Sequence, residues 1–283
     1  MKTLFTLLTA IFVLFVAPLQ LSAQTKRALV IGLGEQQDKS WAKINGDKDV
    51  DYVKAMLTGV GYKDIATLVN NEATKAAIVS EFGKLAQRCQ LGDVVYIHFS
   101  GHGQQVTDLN GDEEDGLDES WIPYDAYLNY CEDDKGEKHL IDDEINKLLT
   151  NIKTKIGDEG AMLVVVDACH SGDSARGEDI EETVRGVMDE FVIPTTHNRS
   201  GRKTEKAPEQ WLTLSACKDY QLNQELKNPQ VGKLSYALFS ISSEQSITMK
   251  SVSRFMQKNR GRRPQTPVLT GDTKNNKISR IIK

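Results

Sequence analysis

The sequence predicts an α/β protein: a single domain on a doubly wound, mostly parallel central sheet flanked by helices. Two apolar runs carry that prediction. Val94 to Phe99, interrupted by His98, and Met162 to Val166 run apolar at consecutive positions, as in strands buried on both faces, and three residues of the second run are β-branched. Segments of this kind alternate with segments of helical period, the signature of a parallel sheet. Both runs also break abruptly. The first ends in Ser100-Gly101-His102-Gly103 and the second in Asp167-Ala168-Cys169-His170-Ser171-Gly172. Ligands of open α/β sheets bind at the carboxyl ends of the strands, so reactive groups belong at these breaks.

Taken in order, the chain opens on Lys2, an apolar run from Leu4 to Ala17, then Pro18 and Leu21-Ser22-Ala23-Gln24. This pattern predicts a signal peptide over residues 1–23 and a secreted or periplasmic domain over 24–283. The run is shorter than the ~20 residues that span a bilayer, so no stable membrane anchor is expected. Ala28 to Gly32 reads as the first buried strand. Gly32-Leu33-Gly34 lacks the third glycine of a dinucleotide fingerprint. Asp47 to Thr58 predicts a helix through Val50, Val53, Met56 and Leu57, Ile65 to Val69 a strand, and Thr74 to Gln87 an amphipathic helix.

Asp108 to Asp125 reads as an acidic loop. It offers oxygens at the first, third, fifth and twelfth positions of an EF-hand-like loop, but Glu113 stands where that loop needs glycine, so an EF-hand is rejected. Leu140-Ile141-Asp142-Asp143-Glu144-Ile145 reads as the opening of a helix that runs to about Ile152, its early acids suiting the helix dipole. Residues 173–209 are polar and long for a connection, and predict a mobile loop. A strand over Trp211 to Ala216, helices over Leu234 to Ile241 and Ile247 to Met256, and a strand over Gln265 to Leu269 complete the chain.

The formal net charge is −5, which argues against nucleic acid as the partner. The four cysteines do not spell a disulfide framework. A monomer is expected.

If the two broken strands are neighbours, His102 and Cys169 leave one sheet edge side by side. A thiol beside an imidazole is the minimum constellation for a cysteine nucleophile, because the thiolate attacks and a nearby imidazolium lowers its pKa. Singly, such a cysteine is more often a small core hydrophobe and such a histidine a structural one. Two of them, each with glycine beside it, favour chemistry. His170 is a competing base, but the neighbour of a nucleophile at a strand end tends to point away. A serine hydrolase using Ser171 or Ser100 would need a G-x-S-x-G elbow, which is absent. The alternative of another class is a binding or regulatory module with a vestigial site.

The two blocks, in this order, resemble those of the caspase-like cysteine peptidases, with the metacaspases and their bacterial relatives the most similar branch. Lys218-Asp219 and Gln265-Thr266-Pro267 resemble later blocks, so the likeness runs from Arg27 to Asp272. It implies a caspase-like fold and an endopeptidase acting on peptides or proteins, with Cys169 as nucleophile and His102 as acid and base. The backbone N–H groups of Cys169 and Gly103 would meet the oxyanion. It implies cleavage after Arg or Lys, with Asp49, Ser100 and Asp167 lining the pocket, although Lys48 stands where the family usually has Asn. No cofactor is implied as required. Calcium is implied at Asp118, Asp142 and Asp143, with Arg176 near the place of a remaining family ligand. The 173–209 loop carries residues that such a pocket accepts. Self-cleavage is therefore expected there, at Arg185-Gly186 or in the stretch containing Arg199 and Arg202.

Overall fold

The computed structural model describes residues 24–169, 183–187, 189–194, 209–244, 246–261 and 263–283. The expected signal peptide, His170, Ser171, Arg176, Arg199 and Arg202 lie outside the described residues.

The first half runs β1 (Lys26–Gly32), α1 (Gly46–Gly59), β2 (Asp64–Val69), α2 (Lys75–Arg88) and β3 (Val94–Ser100). Three short strands follow, β4 (Gly103–Thr107), β5 (Leu117–Trp121) and β6 (Leu140–Ile141), then α3 (Asp142–Ile156) and β7 (Ala161–Asp167). Beyond come β8 (Val184–Arg185), β9 (Leu212–Ser215), β10 (Asn223–Lys227) and β11 (Gln230–Gly232). The chain finishes with α4 (Lys233–Ile241), α5 (Met249–Lys258), β12 (Val268–Gly271) and α6 (Ile278–Ile281).

The main sheet has the order β12-β9-β7-β3-β1-β2, parallel throughout except for β12 against β9. Successive side chains of a strand face opposite sides of the sheet. Val94, Tyr96, Leu163 and Val165 therefore pack with Val50 and Val53 of α1, Leu234 of α4 and Val252 of α5. Val95, Ile97, Val164 and Val166 pack with Ile78 and Phe82 of α2 and Leu149 and Ile152 of α3. Burial on both faces is why the two central strands carry consecutive apolar residues. Thr74 caps α2, its hydroxyl accepting from the Ala77 N–H at 3.3 Å.

The structure corrects the sequence reading in four places. The acidic segment is not all loop, because β5 forms within it and pairs with β4. Leu140-Ile141 is a strand on β5 and not the start of α3. The last strand lies at Val268–Gly271, later than expected, while Gln265 turns inward to bond Asn223 Oδ1 and the Ala216 carbonyl. The long polar segment is not structureless. It contributes β8 to the edge of β10, and Phe191 is fully buried, its N–H and carbonyl bonded to Gln105 and Thr107 of β4.

Candidate active site

Register builds the pocket. β3 pairs with β7 so that Ser100 lies opposite Asp167. The alternation that turns Tyr96 and Val165 towards α1 turns His98, Ser100 and Asp167 the same way. Asp49, in the first turn of α1, meets them there, and all three pocket residues expected from the sequence are fully buried. Asp49 accepts from the Ser100 hydroxyl at 2.5 Å and from the Gly232 N–H at 2.8 Å. Asp167 accepts from Asn223 Nδ2 at 2.8 Å and from the N–H and hydroxyl of Ser235 at 2.8 and 2.6 Å. Ser235 Oγ lies 3.1 Å from His98 Nε2, and the Tyr96 hydroxyl 3.1 Å from His98 Nδ1.

One arginine of the chain fills this pocket. Arg185 is fully buried, and its Nη1 donates to Asp49 Oδ2 at 2.7 Å, to Ser100 Oγ at 2.5 Å and to the Asp167 carbonyl at 3.1 Å. The Asp167 carboxylate is 3.5 Å from the same nitrogen. A third acid completes the ring: Arg185 Nε donates to Glu225 Oε1 at 3.0 Å. Gly232 leaves the room for this, since a Cβ there would stand 2.2 Å from Asp167 Oδ2 and 2.6 Å from Arg185 Nη1. Burial acts to lower the Arg185 pKa, but Asp49, Asp167 and Glu225 together raise it. Burial also acts to raise Asp167, yet the Arg185 charge and the Ser235 and Asn223 donors hold it below the usual range. For Asp49 burial wins, and the neighbouring Asp167 charge adds to the rise.

The backbone around Arg185 is held as an added strand. β8 runs antiparallel to β10, Arg185 opposite Asn223, and the Glu225 N–H donates to the Thr183 carbonyl at 3.0 Å. This is the pairing by which extended peptides join a sheet edge.

The next residue, Gly186, stands between the two expected catalytic groups. Its N–H donates to His102 Nδ1 at 3.0 Å, and a Cβ on it would be 2.3 Å from the Cys169 carbonyl oxygen and 3.1 Å from Cys169 Cβ. Its φ of +122° is also one that side-chain-bearing residues rarely adopt. His102 Nε2 donates to the Ala42 carbonyl at 2.8 Å, and the ring lies 5.1 Å from that of Trp41. Because Nδ1 accepts, Nε2 carries the proton, which leaves Nδ1 as the basic atom. The Cys169 thiol donates to the Gln221 carbonyl at 3.1 Å, and a hydrogen bond with Cys169, more than burial, raises the pKa of Cys217. Gly103, the second expected oxyanion donor, begins β4 directly after His102.

The acidic residues split. Oxygens of Glu113, Asp118 and Asp142 lie within 4.8 Å of one another, as do those of Asp108, Asp112 and Asp118. Asp118 Oδ1 is buried without a hydrogen-bond partner, and burial together with Asp142 and Asp108 pushes that carboxyl up to about 7. Asp143 is engaged elsewhere, accepting from Asn110 Nδ2 at 2.7 Å. Oxygen donors gathered around an unsatisfied carboxylate suit a hard cation such as calcium.

The fold of the chain is that of the caspases. A crystal structure of a Geobacter sulfurreducens protein superposes with a TM-score of 0.64 at 23% identity, covering 92% of this chain and 97% of that one. Caspase-1 from Spodoptera frugiperda superposes with a TM-score of 0.55 at 13% identity, covering 88% and 86%. Residues 26–178 match the family model described as metacaspase, peptidase C14 domain, and the chain belongs to that family of cysteine-type peptidases. Metacaspase-1 of Eremothecium gossypii is 31% identical over 175 residues, 58% of this chain, of which the match spans only 36% of the fungal protein. Metacaspase-1 of Ajellomyces capsulatus is 24% identical over 261 residues, covering 76% of this chain and 70% of that one. Among the described residues no helix is long and apolar enough to cross a membrane.

Sequence reasoning passed over Glu225, Gly232, Asn223 and Ser235. Glu225 lies in a short polar strand, Asn223-Gln-Glu-Leu-Lys227, with no apolar run to mark it. Its distinguishing sign is an acid buried on the middle strand of a small sheet, between β8 and β11, which only the fold reveals.

Burial has a consequence for acid stability. It lowers the pKa of His98, His102 and His139 from 6.5 to about 4 in each case. A histidine kept neutral by folding contributes stability that is fully present above the unfolded pKa, near 6.5, and is lost as pH falls towards the folded value. As pH falls from 6.5 to 4 these rings lower the midpoint of urea unfolding, while the carboxyls of Asp118 and Glu119, raised to about 7 chiefly by burial, act in the opposite sense over the same window. Replacement isolates the histidine part: His139→Gln should make the midpoint fall less, or rise more, as pH drops from 6.5 to 4, and an unchanged pH dependence in the folded variant would contradict the burial of that ring.

Proposed function

We propose that this chain is a cysteine endopeptidase cutting after Arg or Lys, and that its own Arg185–Gly186 bond is its first substrate. The observation that supports this best is the position of that dipeptide. The Arg185 guanidinium sits among Asp49, Asp167 and Glu225 while the Gly186 nitrogen lies 3.0 Å from His102 Nδ1. That nitrogen is the leaving group of the reaction.

In this reading the Cys169 sulfur attacks the Arg185 carbonyl carbon and its proton passes to His102 Nδ1. The N–H groups of Cys169 and Gly103 receive the oxyanion. The imidazolium, steadied by its Nε2–H bond to the Ala42 carbonyl, returns the proton to the Gly186 nitrogen as the C–N bond breaks. Water then hydrolyses the thioester with His102 as base. Ser100 is a pocket residue and not a nucleophile, because its hydroxyl is committed to Asp49. Both fragments stay together, since β7 and β9 pair within one sheet. Peptides arriving from outside then take the place of residues 183–186 along β10.

Calcium, where bound, would be held by Asp118 and Asp142 with Glu113 or Asp108 and would brace the β4–β5 region beside the site. The segment 1–23 supports export, to the periplasm or outside the cell, and the protein acts as a monomer.

Mass spectrometry of the purified chain, with and without a calcium chelator, tests the reading. A new amino terminus at Gly186 in the wild type, with the two pieces co-eluting, is the expected result, and chelation should slow its appearance. A wild-type chain that remains intact while fully active on arginine peptides would remove self-cleavage from the mechanism.

A further inference from the structure

The pocket holds Arg185 by two separate edges, and they do not ask the same thing of a substrate. The end of the side chain, Nη1, is met by Asp49, Ser100 and Asp167. Any cation long enough to reach them would satisfy that end. The flank is met by Glu225 alone, whose Oε1 lies 3.0 Å from both Nε and Nη2.

Glu225 is built to hold this position. Its side chain is 2% exposed. The Asn45 N–H donates to Oε1 at 2.7 Å and Asn45 Nδ2 to Oε2 at 2.5 Å, so the carboxylate cannot swing away. Its backbone N–H meanwhile holds the Thr183 carbonyl, which ties the substrate strand and the flank contact to one residue.

A lysine has no group for that flank. Along its chain a methylene occupies the place of Nε, and its single ammonium falls about one atom short of Nη1. Seated in this pocket, lysine could neutralise the Asp49 and Asp167 end or lean towards Glu225, but not both. The buried Glu225 oxygen would then face a methylene, keeping only the neutral Asn45 donors, and a desolvated carboxylate that loses its cationic partner is costly.

We infer that Glu225 makes this pocket select arginine over lysine. The inference rests on the peptidase reading above and sharpens it from basic residues to one of them. Losing one charge-assisted hydrogen bond corresponds to about a ten- to hundredfold change in an equilibrium or rate ratio.

The test compares kcat/KM of the full chain on two peptides that differ only in Arg or Lys before the scissile bond. The wild type should prefer arginine by about tenfold or more. In Glu225→Gln the ratio should fall towards one, with the loss on the arginine peptide much the larger. Equal turnover of both peptides by the wild type would overturn the selectivity while leaving the peptidase reading in place, and this outcome does not depend on any variant folding. An unchanged ratio in a folded Glu225→Gln would overturn it too. Turnover of neither peptide, with cleavage after other residues, would overturn the reading beneath it and the selectivity with it. A second measurement needs no turnover. In a Cys169→Ala chain, which keeps residue 185 uncut, Arg185→Lys and Glu225→Gln should lower Tm less together than the sum of their separate effects. Strict additivity would mean the two side chains are not coupled and would overturn the assignment.

Discussion

Cys169→Ala is expected to abolish peptide turnover and to leave the chain uncut at Arg185–Gly186, with the fold intact. Removing a nucleophile from a cooperating catalytic set costs on the order of 10⁶-fold in kcat, because the remaining members have nothing to activate. The structural cost is small by comparison. The sulfur hydrogen-bonds with the Gln221 carbonyl and with Cys217, and losing such bonds costs roughly 1 kcal/mol apiece. Circular dichroism and Tm should therefore match the wild type while turnover of an arginine peptide vanishes. His102→Ala should lose most of the activity as well, and His170→Ala far less. Comparable turnover by Cys169→Ala would sink the mechanism, and the reverse order of the two histidines would mean that His170 is the base.

Asp167→Asn should cost cleavage after arginine heavily, by roughly 2–5 kcal/mol for truncating one partner of a buried charge pair. Asp167 is more than a contact. It is the acceptor for Asn223 and Ser235, which position β10, the strand that pairs with β8, and the start of α4. An amide in its place turns one acceptor into a donor facing other donors. The guanidinium then keeps Asp49 and Glu225 but loses part of the charge that balances its burial. Steady-state kinetics on an arginine peptide, read beside thermal unfolding, separates the two effects. Activity should fall by about 30-fold or more while the chain still unfolds cooperatively. Unchanged kcat/KM would place the specificity acid elsewhere.

Much of the site was legible in the residues because its signals are local. A buried parallel strand announces itself by consecutive apolar residues, and Val94 to Phe99 and Met162 to Val166 do so without any knowledge of the fold. Where such a run breaks into glycine and polar residues a strand end follows, which located His102 and Cys169. The period of two then decides that Ser100 and Asp167 share a face once their strands pair. Even Arg185-Gly186 could be singled out, as a basic residue and a glycine in a long polar stretch after the candidate nucleophile.

What the tertiary structure alone decided is which distant groups meet. Glu225 reaches Arg185 across 40 residues of chain, from a five-residue strand whose polar sequence carries no periodic apolar signal. Gly232 is necessary because three charged side chains converge on the space its missing Cβ would occupy, and no spacing in the sequence encodes that convergence. The acidic segment shows the same limit: composition marks it as rich in oxygens, but the β5–β6 pairing, which sets Ser120 opposite Ile141, brings Asp142 near Asp118 while Asp143 bonds Asn110. Local pattern sets which strands form and where they end. Side chains far apart in sequence become neighbours only when strands pair and pack, and it is that pairing which brought three carboxylates around one guanidinium.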